Sequence, residues 1–399
     1  MNRFLISTAL AAATATGALA DGHATTANIG VILGFTGPIE SLTPDMGASA
    51  ELAIAEANAS GMFLDGSVTL APVRADSTCI DSAAASAAAE RLVTGDNVIG
   101  IMGADCSGVT GAVASNVAVP NGVVMVSPSA TSPALSTIED NDLFFRTAPS
   151  DARQGQVLAD IVTERGVDSV AITYTNNDYG LGLADAFQAA FEAAGGSVEI
   201  VAAHEDGKGD YSAEVGALAA AGADALAVFG YVDQGGRGII QSSLDTGAFD
   251  TFILGDGMIG DSLTETFGGD IDGTFGTAPG SDSAGFAFFD AMAKANGIEG
   301  DGPYRGESYD AAALMILAAQ AGGAADRATI AANLMDVANA PGVEVGPGQL
   351  GMALSILANG GEVNYTGATG VELIGPGEAA GSYRELEVMD GAFSTVSVR

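Results

Sequence analysis

Short apolar runs alternate with alanine-rich helical patterns along most of the chain. The run "NIGVILGF" precedes the amphipathic stretch "MGASAELAIAEANA", and "VIGIMGA" precedes "SGVTGAVASNVAV". Strands with few charges, each followed by a helix, are typical of parallel sheets that are covered by helices on both faces. One series of such units ends at "GVVMVSP", and another runs from "LFFRTAPS" to "TFILGDG". The pattern therefore predicts an α/β fold built from two parallel sheets.

The C-terminal part of the chain has a different pattern. Helical stretches follow one another without clear strands between them, from "SAGFAFFDAMAKANG" to "LGMALSILANGG". The chain then ends in "SYRELEVMDGAFSTVSV", where Asp390-Gly391 is a favourable two-residue hairpin turn. A helical block after two β/α series suggests that the chain returns to a lobe that it has already left.

Residues 1–20 have the pattern of a secretory signal peptide. Arg3 precedes an apolar run, and Ala18 and Ala20 form a small-residue cleavage site before Asp21. The apolar run is too short to indicate a membrane span. An amphipathic N-terminal helix is the alternative. The signal-peptide interpretation predicts that the protein works outside the cytoplasm.

The chain carries 50 acidic and 13 basic residues, which gives a formal net charge of −37. Such a surface repels nucleic acid and anionic lipid head groups, so we expect neither as a partner. The acidic residues are dispersed rather than clustered, which favours adaptation to salt as their explanation. A zwitterionic ligand remains compatible with this charge.

The chain has only two cysteines, and each follows a predicted strand. Cys79 ends "SVTLAPVRADSTC" and Cys106 ends "VIGIMGADC". In an oxidising compartment, two such cysteines favour a disulfide beside the carboxyl edge of the sheet. Two free buried thiols remain the alternative, because the sequence does not give the geometry of the pair.

Catalytic and metal-binding patterns find little support. His204 is one of two histidines, and we expect it at the surface, where it ends a strand. The acidic turn that follows it lacks the spacing of a calcium-binding loop. Residues 255–260 match G-x-G-x-x-G, but Asp256 would repel the pyrophosphate that this loop binds. We therefore predict no enzyme, no metal site and no cofactor.

Polar and aromatic residues follow several of the predicted strands. In open α/β sheets, ligands bind in the crevice at the carboxyl ends of the strands. The first lobe offers hydroxyl and backbone groups suited to an anion, and the second offers aromatic rings and a carboxylate. This division suits a zwitterion, although helix capping explains each hydroxyl taken alone. The candidate ligand-binding residues are Asp105, Ser107, Ser129, Ala130, Thr131, Tyr179, Tyr231 and Asp256.

The order and spacing of several motifs resemble the leucine/isoleucine/valine-binding proteins of ABC importers. These motifs include "VILGFTGPIESLTPDMGASAELAIAEAN", "ADSTCIDSAAASAAAERLV", "VMVSPSATSPALS", "FFRTAPSDARQGQVLADI" and "NNDYGLGLADAFQAAFEAAGG". The resemblance covers nearly the whole chain after residue 20. It implies the type I periplasmic-binding-protein fold, with two lobes joined by three crossovers, and it also implies a disulfide, which fits Cys79 and Cys106.

The resemblance also implies where the lobes divide. We expect crossovers near Phe145–Thr147, Thr274–Ala278 and Tyr365–Gly370. The first lobe would then consist of residues 21–145 with 278–365, and the second of residues 146–277 with 366–399.

The same resemblance implies roles for the site residues. Ser107, Ser129 and Thr131 should hold the ligand carboxylate, and the Ser129 carbonyl should also accept from the ammonium group. Asp256 lies where the family has its acidic counter-ion to the ammonium, and Tyr179 and Tyr231 should close over the ligand.

Some polar residues depart from what an aliphatic ligand would need. Arg305, Glu307 and Tyr309 in "GPYRGESYD", and Glu40 and Ser41 in "GFTGPIESL", are expected near the pocket. We include Glu307 among the candidate ligand-binding residues. These departures leave a polar amino acid, an amide or a urea-type compound open as ligand.

The function that the resemblance implies is capture of a small amino acid between two lobes by hinge closure. The protein would be a periplasmic monomer that delivers its ligand to a permease in the inner membrane. The alternative function is that of a ligand sensor with the same fold.

Overall fold

The computed structural model describes residues 24–399. The predicted signal peptide lies outside the described residues. The strands are β1 (Thr25–Leu33), β2 (Val68–Asp76), β3 (Gly100–Gly103), β4 (Met125–Ser127), β5 (Phe144–Arg146), β6 (Ser169–Thr175), β7 (Ser197–His204), β8 (Ala225–Phe229), β9 (Phe252–Leu254), β10 (Phe275–Pro279), β11 (Val343–Val345), β12 (Val363–Tyr365), β13 (Leu373–Ile374), β14 (Glu378–Ala379), β15 (Tyr383–Met389) and β16 (Ala392–Val398).

The α-helices fall mainly between these strands. They are α1 (Thr43–Ser60), α2 (Ser82–Glu90), α3 (Ser107–Val113), α4 (Asp151–Glu164), α5 (Asp178–Ala193), α6 (Ser212–Ala219), α7 (Gly235–Thr246), α8 (Asp261–Phe267), α9 (Ala284–Ala295), α10 (Arg305–Gly322), α11 (Arg327–Ala338) and α12 (Leu350–Ala358). None of the helices among residues 24–399 is both long enough and apolar enough to cross a membrane.

Two seven-stranded sheets form the centres of two lobes. The first sheet has the order β13-β14-β5-β4-β3-β1-β2, and the second has the order β16-β15-β10-β9-β8-β6-β7. Neighbouring strands run parallel except at one edge of each sheet, where β13 pairs antiparallel with β14, and β15 with both β10 and β16. The prediction of an α/β fold with two mainly parallel sheets is therefore confirmed.

The chain passes between the two sheets after β5, after β10 and after β14. The third passage differs from the expected one. Residues 366–379 were assigned to the second lobe, but Glu378 pairs with Arg146 in the first sheet. Strands β13 and β14 have only two residues each, so they carry no alternation of apolar and polar positions that a sequence pattern can reveal.

The C-terminal helices complete the first lobe, and α10 is their centre. Nearly every residue of α10 is buried, and the helix packs against α1, α11, α12 and the strands β3 and β4. Residues 311–319 of α10 are all apolar and buried, and a helical segment that is apolar on all sides belongs in the interior, since burying its side chains stabilises the fold. The strands β11 and β12 form a small separate sheet that the sequence pattern did not predict.

The C-terminal hairpin has the predicted turn. Asp390 and Gly391 have φ values of 53° and 77° and connect β15 to β16. Both residues are in the left-handed region that two-residue turns of this type require. The hairpin forms one edge of the second sheet.

His204 is buried, so the expectation of a surface residue was wrong. Its ring packs against Gly230 and Gly235, where the missing side chains leave room for it. Its Nδ1 lies 2.9 Å from the Thr173 hydroxyl, and burial lowers its pKa to about 4. A neutral histidine enclosed in this way is part of the core of the second lobe.

Candidate functional site

A small cavity lies between the two lobes. Among the described residues, no cluster of acidic, histidine or cysteine side chains forms a metal site. The cavity is lined by Ile39, Leu42, Met46, Asp105, Cys106, Ser107, Ser129, Tyr179, Tyr231, Asp256, Gly257 and Tyr304.

The first-lobe floor of the cavity is fixed by a disulfide between Cys79 and Cys106. The two Cα atoms are 5.2 Å apart, so the bond joins the segment after β2 to the start of α3. Asp105 lies beside it, and its carboxylate accepts hydrogen bonds from the Gly34 amide at 2.6 Å and the Ser77 hydroxyl at 2.9 Å. The predicted disulfide is present. Asp105 lines the cavity, but its carboxylate is already engaged in holding two loops of the first lobe together.

Two of the predicted serines line the cavity from the first lobe. Ser107 begins α3, and its Oγ accepts from the Ser132 amide at 3.1 Å, which leaves its hydroxyl proton for a ligand. The Ser129 hydroxyl donates to the Asp105 carbonyl at 3.1 Å. Ser107 thus presents its hydroxyl at the start of α3, where an anion is stabilised. Ser129 lines the cavity beside it with its hydroxyl already engaged.

Ala130 and Thr131 lie just behind this surface. The Ala130 carbonyl accepts from Arg146 Nη1 at 3.1 Å, so this oxygen is used within the lobe. Thr131 Oγ1 is buried and has no hydrogen-bond partner among residues 24–399. Of these two residues, only Thr131 has a side-chain polar group left to satisfy.

Two stacked tyrosines line the cavity from the second lobe. The rings of Tyr179 and Tyr231 are 5.2 Å apart between centroids and 16° from parallel. The Tyr179 hydroxyl donates to Asp256 Oδ1 at 2.9 Å and accepts from the Gly257 amide at 3.0 Å. Asn177, which caps α5, donates to the Tyr231 hydroxyl at 3.3 Å. Tyr179 is therefore hydrogen-bonded to the Asp256 carboxylate, and Tyr231 extends the wall by stacking on Tyr179.

Tyr304 is a cavity residue that the sequence analysis missed. Its hydroxyl donates to Asp256 Oδ2, so Asp256 is held by tyrosines from both lobes. Tyr304 stands just before α10 with a φ of 68°, a conformation that non-glycine residues seldom adopt. Its position within "GPYRGESYD", a segment expected near the pocket, was the available signal.

Asp256 and Asp151 are buried carboxylates that influence each other. Burial raises the pKa of Asp256, and the hydroxyls of Tyr304 and Tyr179 oppose this rise. The pKa of Asp151 is raised well above its usual value by burial and then by the charge of Asp256. Neither oxygen of Asp151 has a hydrogen-bond partner within the described part of the chain. Two such groups make this side of the site attractive to a cation.

An apolar wall faces the polar groups. Ile39, Leu42 and Met46 come from the loop after β1 and the start of α1. The sequence analysis did not select them, because apolar residues near a helix start also occur in any core. Their side chains provide a surface for an aliphatic group.

The polar residues that argued against an aliphatic ligand lie outside this cavity. Glu307 is buried on α10, where its carbonyl accepts from the Thr147 hydroxyl at 2.9 Å, and burial raises its pKa to about 7. Tyr309 donates to Glu56, away from the cavity. Arg305 lines a different cavity. The position of Glu307 therefore does not support its prediction as a ligand-binding residue.

Contacts across the rim join the lobes in a closed arrangement. The Ser41 amide donates to Asp233 Oδ2 at 2.8 Å, and the Asp233 amide donates to the Pro38 carbonyl at 3.0 Å. Pro38 and Ser41 belong to the first lobe and Asp233 to the second. A ligand in the cavity would consequently be enclosed on both sides.

Comparison with known proteins agrees with this architecture. The chain is 35% identical over 274 residues to the Leu/Ile/Val-binding protein homolog 3 of Brucella melitensis, covering 67% of this chain and 69% of that protein. It is 31% identical over 313 residues to the amino acid binding protein of Pseudomonas aeruginosa, covering 76% of this chain and 81% of that one.

A solved structure with the same fold is the branched-chain amino acid transporter substrate binding protein LivJ of Streptococcus pneumoniae. The TM-score is 0.77 at 22% identity, with 94% of this chain and 99% of that chain covered. The model of the family described as periplasmic binding protein matches residues 26–353. The chain belongs to the periplasmic binding protein family.

Proposed function

We propose that this protein captures a branched-chain amino acid, or a closely related small zwitterion, and delivers it to the permease of an ABC importer. The observation that carries the proposal is the buried carboxylate of Asp256, which faces the hydroxyl and backbone groups of Ser107 and Ser129 across one small cavity. Membership of a family of solute-binding proteins also confirms the prediction that the chain is not an enzyme.

Each part of such a ligand finds a matching group. The ammonium would lie against Asp256, with Asp151 as a second carboxylate behind it. The carboxylate would accept from the hydroxyl of Ser107, whose proton is free for a ligand. Thr131, which lies behind the cavity surface, remains a predicted contact of the same carboxylate. The aliphatic side chain would contact Ile39, Leu42 and Met46 (all of them cavity-lining residues).

Hinge closure would follow from contacts on both lobes. A ligand held by Ser107 in the first lobe and by Tyr179, Tyr231 and Asp256 in the second binds the closed state more tightly than the open one. The closed state would then be recognised by the permease. The sensor function is the alternative, and one relative has such a name: the chemotactic signal transduction system substrate-binding protein BasB of Halobacterium salinarum is 28% identical over 376 residues. The names of the relatives compared above describe amino acid binding and mention no signalling.

The proposal extends to location and assembly. Residues 1–20 would direct export to the periplasm and then be removed. The protein would act as a monomer, and its net charge of −37 argues against nucleic acid as a partner.

A thermal-shift screen of refolded protein, freed of carried-over ligand, tests the ligand class. A ligand at one hundred times its Kd adds about 2.7 kcal/mol, which a melting curve detects. We expect leucine, isoleucine or valine to raise the melting temperature, and glutamate, lysine and urea to leave it unchanged. A shift with urea or a charged amino acid alone would contradict the proposed ligand class.

Substitution of Asp256 tests the site. Asp256→Asn should weaken binding of the identified amino acid at least a hundredfold, because the buried ammonium would lose its charged partner. Asp250→Asn is the matched control, since Asp250 is an exposed residue of the same lobe whose carboxylate accepts a hydrogen bond from the Thr251 hydroxyl. Titration calorimetry measures both, and equal affinities would reject this site.

A further inference from the structure

The turn that follows β1 contacts both the ligand cavity and the opposite lobe. It comprises residues 37–42, and the Leu42 amide donates to the Ile39 carbonyl within it at 3.0 Å. The side chains of Ile39 and Leu42 line the cavity. Ser41, which lies between them in the chain, donates from its amide to Asp233 of the second lobe at 2.8 Å. One short turn therefore carries part of the apolar wall and part of the contact between the lobes.

Asp233 bonds to this turn through both its carboxylate and its backbone. Besides the bond from Ser41 to Oδ2, the Asp233 amide donates to the Pro38 carbonyl at 3.0 Å. Its Oδ1 accepts from the Ser262 hydroxyl at 2.9 Å, and that hydroxyl lies 3.3 Å from the Ser41 hydroxyl. Hydrogen bonds to an ionised acceptor are stronger than neutral ones. The bonds to Ser41 and Pro38 join different lobes, so they are lost when the lobes separate.

Asp233 has a fixed position on its own lobe. Arg237 of α7 donates to the Asp233 carbonyl at 2.8 Å. The preceding residue, Val232, donates from its amide to the Gly257 carbonyl at 2.9 Å. Gly257 and Tyr231 both line the cavity, whereas Asp233 does not. The acceptor of the contact is thus held beside the second-lobe wall of the site, although it does not touch the ligand space.

The apolar side of the turn also reaches the second lobe. A β-carbon at Gly260 would lie only 2.9 Å from Leu42 Cδ2, so the missing side chain leaves room for Leu42. An aliphatic ligand side chain would contact Leu42 and Ile39 from inside the cavity. Because attraction between apolar atoms acts only over short distances, a ligand without such a side chain would leave this face of the turn unsupported.

We propose that turn 37–42 and Asp233 form a rim latch that closes fully only when the bound amino acid has an aliphatic side chain. The inference rests on the proposed function. The ligand side chain would fix the turn from inside the cavity, and the turn would then present the Ser41 amide to Asp233. A ligand that favours the latched state shifts the lobes toward closure. Asp233 is therefore a positioning residue that makes retention of the ligand depend on its side chain.

The variant Asp233→Ala tests the latch with radiolabelled leucine as the probe. We expect leucine to dissociate about tenfold faster and to associate at an unchanged rate, because the latch forms after the ligand has docked. The conservative variant Asp233→Asn keeps one acceptor oxygen and should give a smaller increase. Melting curves of the ligand-free variants that match the unaltered protein establish that both are folded. An unchanged dissociation rate in both variants would overturn the proposal.

The matched control for the loss of one negative charge is Asp245→Ala. Asp245 is an exposed residue of the same lobe, and its carboxylate accepts from Gln241 of its own helix at 2.9 Å. Both rate constants should stay unchanged in this variant. Faster dissociation equal to that of Asp233→Ala would show a general effect of charge and would overturn the latch.

A double-mutant cycle tests the dependence on the ligand side chain. In an Ile39→Ala background, Asp233→Ala should accelerate leucine dissociation by less than about threefold, because the turn has already lost part of its contact with the ligand. In an Ile374→Ala background, which alters an exposed isoleucine of the first lobe, the full effect should remain. Equal effects in both backgrounds would overturn the proposal and leave the amino acid function intact. An unaltered protein that binds no leucine, isoleucine or valine would instead reject the proposed function, and the latch with it.

Discussion

The hydroxyl of Tyr304 donates a hydrogen bond to Oδ2 of Asp256 and so links the first lobe to the second. Asp256 Oδ1 accepts from Tyr179 of its own lobe at 2.9 Å. The carboxylate that would bind the ligand ammonium is thereby also a contact between the lobes. Closure and ligand recognition share one side chain.

Tyr304→Phe should weaken ligand binding about tenfold, which corresponds to about 1.4 kcal/mol. The variant keeps the ring that lines the cavity but loses a hydrogen bond to a charged group that exists only when the lobes are closed. Tyr309→Phe is the control, because Tyr309 donates to Glu56 and lies outside the cavity. Calorimetry compares the two variants, and equal affinities would show that the Tyr304 hydroxyl does not act in closure.

Glu307→Gln should stabilise the protein above pH 7. Burial raises the pKa of Glu307 from 4.5 to about 7, so the folded state holds this proton more tightly than the unfolded state. The unaltered protein therefore loses stability as the pH rises from about 4.5 to about 7, by up to about 3 kcal/mol.

Glutamine resembles the neutral form, so the variant should match the unaltered protein at pH 4 and exceed it at pH 8. Denaturant unfolding at the two pH values measures the difference. The control variant Glu344→Gln, at an exposed position, should have the same free energy of unfolding as the unaltered protein at both pH values. A variant that is less stable at pH 8 would show that the Glu307 charge is stabilising in the folded state.

Removal of the disulfide should cost about 3.5 kcal/mol of folding free energy. Cys79 and Cys106 are separated by 27 positions, and the expected cost follows from the chain entropy of a loop of this length. The double variant Cys79→Ser, Cys106→Ser is compared with the unaltered protein by denaturant unfolding. A reducing agent should lower the stability of the unaltered protein and leave the variant unchanged. A response of the variant to reduction would point to an effect other than this bond.

Salt should raise the melting temperature. With 50 acidic and 13 basic residues, the folded surface repels itself, and the Debye length falls from about 10 Å at 0.1 M to about 3 Å at 1 M salt. Melting curves in 0.1 M and 1 M potassium chloride measure the effect, and sucrose of equal osmolality controls for exclusion from the surface. A melting temperature that falls with salt would show that ion pairs outweigh the repulsion.

The sequence predicted those parts of the fold that depend on local pattern. Apolar runs followed by helical patterns correctly predicted the parallel sheets, and Asp390-Gly391 correctly predicted the C-terminal turn. The third passage between the lobes was misplaced because β13 and β14 are too short to show a period. The burial of His204 was missed because it depends on Gly230 and Gly235, which approach it from other segments.

The site was predicted where its residues follow strands. Ser107, Ser129, Tyr179, Tyr231 and Asp256 all line the cavity. Tyr304 was missed because its position depends on an unusual backbone conformation and on contact between the lobes. The apolar wall was missed for another reason, since its residues are chemically the same as those of a core.

The three passages of the chain between the sheets have a consequence for biogenesis. Strand β15 lies between β10 and β16, so the second sheet cannot be completed until residues 383–398 are available. The first sheet likewise lacks its edge strands until β13 and β14 are available. Neither lobe is therefore complete before residues 373–398 have emerged, so the two lobes cannot reach their final form one after the other in chain order.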